Sequence, residues 1–352
     1  MKNRIKYGLI LVFFFGATQH VLSQGVALNN IPDKTTLSSS VLNLALSVSN
    51  QQRNSALIGN TRDITIQNVG NEIALEIAIH YPNWPAGTSA TSTCDSHLSP
   101  AASCVISIHP GPESSSHCDR GTLAIPSTIT ISARNAPAIK FYVMILSYGC
   151  IYQGGYLFSV NDNYAKYPRD LSIGGKVVSL NDQTYAIAWD SSIGCTTEPY
   201  NNCAITLANS IGNGNYYFPT TKKIDPDGNT YRIYHQLSDT LSYAAGICRQ
   251  NSVGYSDWYL PAICELGYYT PSSLNDSGCG TESAPYMQNI LSNLTNDHIG
   301  NLGGLYWSST EDGYSPNINA WFQYTAGGGD SFQSGANKAS QIGVRCVRAV
   351  TP

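Results

Sequence analysis

The sequence predicts two architectures in succession, an all-β sandwich followed by an α+β domain. Three observations carry that expectation. The hydrophobic period is two over the first half and changes to helical spacing in the second. The chain has 352 residues, more than one hydrophobic core usually serves. Its ten cysteines all lie beyond residue 90 and leave an even number in each half.

Lys2, Arg4 and Lys6 precede an apolar run from Tyr7 to Ala17, and Val21-Leu22-Ser23 follows with small residues where a signal peptidase requires them. This predicts a signal peptide over residues 1–23 and export. The apolar run is too short for a transmembrane helix, which needs about 20 residues. No cysteine sits at the cleavage region to carry a lipid. The exported chain is then a sandwich over residues 24–147 and a second domain over 148–352, with a periplasmic, cell-surface or secreted destination.

In the sandwich segment Leu42, Leu44, Leu46 and Val48 alternate with smaller or polar residues. Ile64 and Ile66, the set Ile73, Leu75, Ile77 and Ile79, then Ile106 and Ile108, Ile129 and Ile131, and finally Phe141, Val143 and Ile145 repeat the pattern. Successive strand side chains point to opposite faces, so each set predicts one buried face of a short strand. Asn, Gly, Pro and Ser turns between the sets predict an antiparallel sandwich.

In the second half Leu241, Ala244, Ala245 and Cys248 follow the i, i+3, i+4, i+7 rule, predicting a helix capped by Ser238 or Asp239. A second helix is predicted to start at Pro261, where a missing N–H costs nothing, with Glu265 in its early turns. Met287, Ile290, Leu291 and Leu294 predict a third. YLFSV, YAIAW, YRIY, YWSST, AWF and VRCVR are predicted strands, which makes this half α+β.

Four cysteines (Cys94, Cys104, Cys118, Cys150) fall in the first half or at the junction, and six (Cys195, Cys203, Cys248, Cys264, Cys279, Cys346) in the second. There is no CxxC pair and no zinc-ligand spacing, so disulfides formed in an oxidising compartment are favoured over a metal cage. Cys94 with Cys104 and Cys195 with Cys203 are the nearest local pairs, although spacing alone leaves connectivity open.

Only 12% of residues are charged and the formal net charge is −4, more acidic still once the basic leader is removed. Without a basic stripe to release counterions from phosphates, nucleic acid is excluded as an expected partner. Twenty-three tyrosines supply rings able to stack on sugar faces or anchor proteins.

The ordered blocks DWYLPAICEL (Asp257 to Leu266), YWSST (Tyr306 to Thr310), AWF (Ala320 to Phe322) and VRCVRA (Val344 to Ala349), with YQGGYLFSVND (Tyr152 to Asp162) before them, resemble the bacterial Lcl C-terminal domain family. That family is related to the C-type-lectin-like and formylglycine-generating-enzyme-like folds. The resemblance implies a scaffold whose first and last strands, Tyr156 to Val160 and Val344 to Val347, pair directly. It places Cys346 beside a helix, with Cys248 or Cys264 as partner. It gives Trp258, Leu260, Pro261, Glu265, Trp307, Trp321, Arg345 and Arg348 structural roles. Thr61 to Ile79 and Thr91 to Gly111 resemble bacterial surface immunoglobulin-like modules, in which two cysteines flank a loop and join adjacent strands; Cys94 and Cys104 occupy the matching places.

Three features invite a chemical reading. Asp225, Asp227 and Asn229 alternate like the start of a calcium loop, but the position of the terminal bidentate acid is Gln236, so a tight turn is preferred. Glu265 near Trp258 has the character of a general acid or sugar ligand, yet no second acid is marked. Helix capping or a buried bond to Arg345 or Arg348 is the preferred role. The distant likeness to formylglycine-generating enzymes implies a redox-active cysteine pair, whereas these cysteines fit structural bridges better.

No catalytic residue, metal or cofactor is therefore expected. The sequence points to an exported, noncatalytic binding protein for a host or matrix glycan or protein, with Tyr268, Tyr269 and Tyr314 as candidate contacts. Resemblance to the C-terminal domain of collagen-like adhesins implies glycosaminoglycan binding. This chain lacks their Gly-X-Y stalk, and its acidity disfavours anionic glycans. A structural envelope protein and an exported enzyme are the alternatives.

Overall fold

The computed structural model describes residues 35–49, 59–162, 172–191, 208–214, 217–218, 223–224, 228–237, 242–250, 254–326 and 330–350. The predicted signal segment, Cys195, Cys203, Asp225 and Asp227 lie outside these residues.

Among the described residues, the two main sheets of the first half comprise β1 (Leu37–Ser39), β2 (Asn43–Ser47), β3 (Arg62–Asn68), β4 (Ala78–His80), β5 (Ser89–Ser92), β6 (Ser103–His109), β7 (Ser127–Ala133) and β8 (Ala136–Leu146). They form two four-stranded sheets, ordered β1-β3-β6-β5 and β2-β8-β7-β4. In β3 the alternation is complete: Arg62, Ile64, Ile66 and Asn68 are buried, while Asp63, Thr65 and Gln67 are exposed. Ile64, Ile66, Ile106, Ile108, Ile129, Ile131, Phe141, Val143 and Ile145 are each 0% exposed and share one core between the sheets. Each such side chain contributes about 1.5–3 kcal/mol by leaving water.

Two expectations for this half need correction. β2 runs parallel to β8, with Leu44 opposite Val143 and Leu46 opposite Ile145, so the sandwich is not wholly antiparallel. The stretch from Ile73 to Ile79 is not one strand. Glu76 has φ +54°, and this left-handed residue separates a two-residue ladder at Ala74–Leu75 from β4. Ala74 takes the buried position, leaving Ile73 at the surface; Leu42 is likewise exposed.

The second half adds β9 (Ile151–Tyr152), β10 (Gly155–Asn161), β11 (Gly174–Ser179), β12 (Thr184–Ile187), β13 (Gly304–Glu311), β14 (Asn319–Thr325), β15 (Phe332–Asn337), β16 (Ile342–Val344) and β17 (Val347–Val350). Its sheets are ordered β9-β10-β11-β17 and β12-β16-β13-β14-β15. Four helices accompany them: α1 (Asn229–Leu237), α2 (Ala244–Arg249), α3 (Ile263–Leu266) and α4 (Ile290–Asn293). The described residues are thus mostly β, in several sheets with short helices.

α2 takes in the predicted Ala244, Ala245 and Cys248 but is capped by Tyr243, with Ser238, Asp239 and Leu241 outside the described residues; α4 takes in Ile290 and Leu291 but not Met287 or Leu294, and α3 begins two residues after Pro261. YRIY is not a strand but the middle of α1. Its aromatic and β-branched composition favours a strand, yet buried Asn229 opens a helix there by bonding both ways with Ser210 (Nδ2 to O, 2.7 Å; N–H to Oδ1, 3.1 Å). The end strands of the domain do not pair directly either. β11 lies between them, with Tyr156 opposite Val178 and Val178 opposite Val347.

Residues Pro32–Pro352 fall in one compact unit, and the two halves are tied at several points. Cys118, in the connection between β6 and β7, is bonded to Cys150. Asp162, at the end of β10, is buried against the sandwich, where it accepts from Ser47 Oγ at 2.6 Å and pairs with the buried Arg62. Ala45 and Leu146 join Trp189, Trp258 and Trp307 in a common core. No helix of the described residues is long and apolar enough to cross a membrane.

Candidate functional site

The sequence blocks of the second half converge on a buried frame of ion pairs. Arg348, 1% exposed, grips Asp257 with two parallel bonds, Nε to Oδ1 at 2.7 Å and Nη2 to Oδ2 at 3.0 Å. Its Nη1 donates to Gln153, and its guanidinium lies 3.8 Å from the centre of the Tyr255 ring. The block beginning at Asp257 is thereby fastened to the final strand. Arg345, 3% exposed, donates to Asp182 Oδ1 at 2.7 Å and to the carbonyls of Ser179, Leu180 and Gly300.

Glu265 is fully buried and caps its own helix, its Oε2 accepting the Ala262 N–H at 2.7 Å. Oε1 accepts from the Tyr259 hydroxyl at 2.9 Å and pairs with Lys176. The capping role is as expected, but the neighbouring cation is Lys176 and not Arg345 or Arg348. Lys338 pairs with Glu311 and lies 4.4 Å from the centre of the Trp189 ring; burial lowers its pKa despite the carboxylate.

Trp258 and Trp307 are fully buried and Trp321 is 3% exposed. Trp307 donates Nε1–H to Ile187 O at 2.9 Å, tying β13 to β12. Leu260 exchanges backbone bonds with the Thr230 hydroxyl, and Pro261 O accepts the Ser309 N–H at 2.7 Å. Cys248 is bonded to Cys346 and Cys264 to Cys279, while Cys94 is bonded to Cys104 in the sandwich. Of the two partners weighed for Cys346, the one on α2 is therefore used.

The three candidate tyrosines have different environments. Tyr268 is 4% exposed, its hydroxyl accepting from Asn296 Nδ2, so its ring offers no ligand surface. Tyr269 is half-buried beside it. Tyr314 is 78% exposed in the turn after β13. No group of three or more His, Cys, Asp or Glu is placed to hold a metal among the described residues.

An accessible recess of about 200 Å³ lies instead over β12, β16 and the start of β13. Its origin is local. Between the pairs Thr184–Val344 and Ile187–Ile342, Tyr185 and Ala186 together oppose the single residue Gly343. An extra residue of this kind bulges a strand and re-aims its side chains. Tyr185 accordingly stands 84% exposed at the recess. Gly343 also faces Tyr306 across the parallel β13–β16 contact, and a Cβ there would come within 2.8 Å of Leu305 O. The missing side chain lets three strands approach and leaves the hollow.

Asp182, Leu305, Tyr306 and Gln341 complete the working wall. Burial, reinforced by the charge of Asp182, pushes the Tyr306 phenol well above its usual pKa and keeps it protonated. Sequence reasoning missed this site. The one available signal was Gly303-Gly304 before Leu305-Tyr306, facing a further glycine at 343.

Comparison with solved structures finds low similarity. Domains 4 and 5 of the S-layer protein SbsC are 8% identical with a TM-score of 0.22, covering 32% of this chain and 51% of that one. A protein of unknown function from Porphyromonas gingivalis W83 is 14% identical with a TM-score of 0.24, covering 35% and 51%. The secreted serine protease VesC from Vibrio cholerae is 14% identical with a TM-score of 0.19, covering 34% and 24%. The chain thus spans about half the length of the first two. No curated protein matches in sequence. Residues 180–348, which include the recess and the Arg348–Asp257 and Arg345–Asp182 pairs, match the family model of the Lcl C-terminal domain.

Proposed function

We propose that this protein is an exported, noncatalytic recognition protein in which an immunoglobulin-like sandwich presents a C-type-lectin-like module to a glycan or protein of host or matrix. One observation carries the reading: the charged residues of the sequence blocks are consumed inside the frame, while an exposed ring and amide, Tyr185 and Gln341, are gathered at the recess. Asp257, Glu265, Arg345 and Arg348 are all buried and bonded to partners. Such groups hold shape and do not meet a substrate. Four disulfides among the described residues favour an oxidising destination.

The test is a glycan array together with a pull-down on intact extracellular matrix, using the mature chain. Retention on either surface above a denatured control is expected; failure on both removes the recognition reading. An exported hydrolase or oxidase is the reading from another class. It is disfavoured by Glu265, whose two oxygens are occupied by Ala262 N–H, Tyr259 and Lys176 with no exposure to solvent.

A further inference from the structure

We propose that the recess over Gly343 is a sugar site that takes one uncharged pyranose ring, with the Tyr185 ring as its stacking face and the Gln341 amide as its hydroxyl partner. This rests on the recognition reading above and adds the ligand class and the place.

A pyranose has an apolar face of C–H groups and an equatorial rim of hydroxyls. It therefore needs an exposed ring on one side and hydrogen-bonding groups at the edge. The bulge in β12 supplies the first by turning Tyr185 outward, and Leu305, 42% exposed, extends the apolar surface. The exposed Gln341 supplies the second. Asp182 borders the recess with its side chain 8% exposed and paired with Arg345, so it fixes the wall and is not a ligand partner. The space of about 200 Å³ is below the usual range for drug-sized ligands and suits a single ring rather than a buried chain.

Charge sets the class. None of the described residues lining the recess is Lys, Arg or His, while Asp182 is acidic. The nearest guanidinium, Arg345, is 3% exposed and spends four hydrogen bonds on Asp182 and three carbonyls. Sulfate or carboxylate groups would find no free cation there to pair with.

Two substitutions probe the site without disturbing the frame. Tyr185→Ala removes a side chain that is mostly in solvent. Gly303→Leu fills the recess, since the nearest atom to a Cβ built there is 3.9 Å away and its φ is not in the left-handed region. Saturation-transfer NMR on the mature protein would use the methyl glycosides of glucose, galactose and N-acetylglucosamine, with a sulfated heparin disaccharide as the charged probe. A roughly millimolar Kd is expected for one ring on a shallow surface. Transfer to at least one uncharged glycoside should be lost in both variants while melting temperatures stay at the wild-type value.

No transfer to any uncharged glycoside, transfer that survives in either variant, or preference for the sulfated disaccharide would overturn the proposal. Array binding that persists in both variants would sink this site and leave the recognition reading intact. Loss of array and matrix binding by the wild type would sink the broader reading itself.

Discussion

Replacing Asp257 by alanine tests the physical role of the sequence blocks. Arg348 is 1% exposed, and Asp257 supplies both of its charge-assisted bonds, at 2.7 and 3.0 Å. In Asp257→Ala the guanidinium keeps Gln153 and the Tyr255 ring but has no counter-charge. Stranding a buried charge costs about 3–5 kcal/mol. For a unit of this size that lowers Tm by roughly 4–7 °C. The double variant Asp257→Leu/Arg348→Met removes both charges and should recover most of the loss, because an ion pair exchanged for apolar packing is often close to neutral. Urea unfolding followed by tryptophan fluorescence, with calorimetry for Tm, gives all the required values. A single-variant loss below about 1 kcal/mol, or a double variant no more stable than the single, would refute the stranded-charge argument.

Removing the Cys248–Cys346 bridge, which closes a separation of 98 residues, should cost about 4–5 kcal/mol, against about 3 kcal/mol for Cys94–Cys104 with its separation of 10. Calorimetry of the paired Cys→Ser variants checks the ranking. Glu265→Gln should destabilise by about 2–3 kcal/mol through the weakened bonds to Ala262, Tyr259 and Lys176. An unchanged Tm accompanied by a lost turnover would argue for the enzyme reading instead. Stability should also fall as pH rises beyond about 10, where tyrosines of the unfolded chain ionise while buried Tyr306 and Tyr152 keep their protons. Lys338 acts in the opposite sense up to about 10.5, since its lowered pKa leaves the unfolded chain binding more protons there. Urea midpoints between pH 9 and 11 should therefore decline less in Tyr306→Phe than in the wild type.

The parts legible in the sequence were those where one local rule decides the outcome. Period-two isoleucines located the sandwich core because burial selects one strand face, and Ala244, Ala245 and Cys248 located α2 for the corresponding helical reason. Three strand-level features were not legible. β11 carries only Lys176-Val177-Val178 between glycines and Ser179, too short a pattern to stand out. The parallel partnership of β2 and β8 joins residues about a hundred positions apart, which no local period encodes. In α1 a composition suited to a strand was overridden by the Asn229–Ser210 bonds and the burial of Ile233. The recess escaped detection because its defining residue, Gly343, contributes by lacking a side chain. The exposed tyrosine at the recess, Tyr185, stands out through a bulge visible only in the pairing register.

The attachment of Asp162 to the sandwich bears on how this chain can be divided. A fragment beginning at residue 148 would retain Asp162 without Arg62 or Ser47 and Cys150 without Cys118. It would carry an orphaned anion and a loose thiol into an oxidising medium, inviting mispairing and dimers. Any minimal version of the carboxy-terminal module would need both liabilities repaired, by Asp162→Asn and Cys150→Ser, before its behaviour reported on the intact protein.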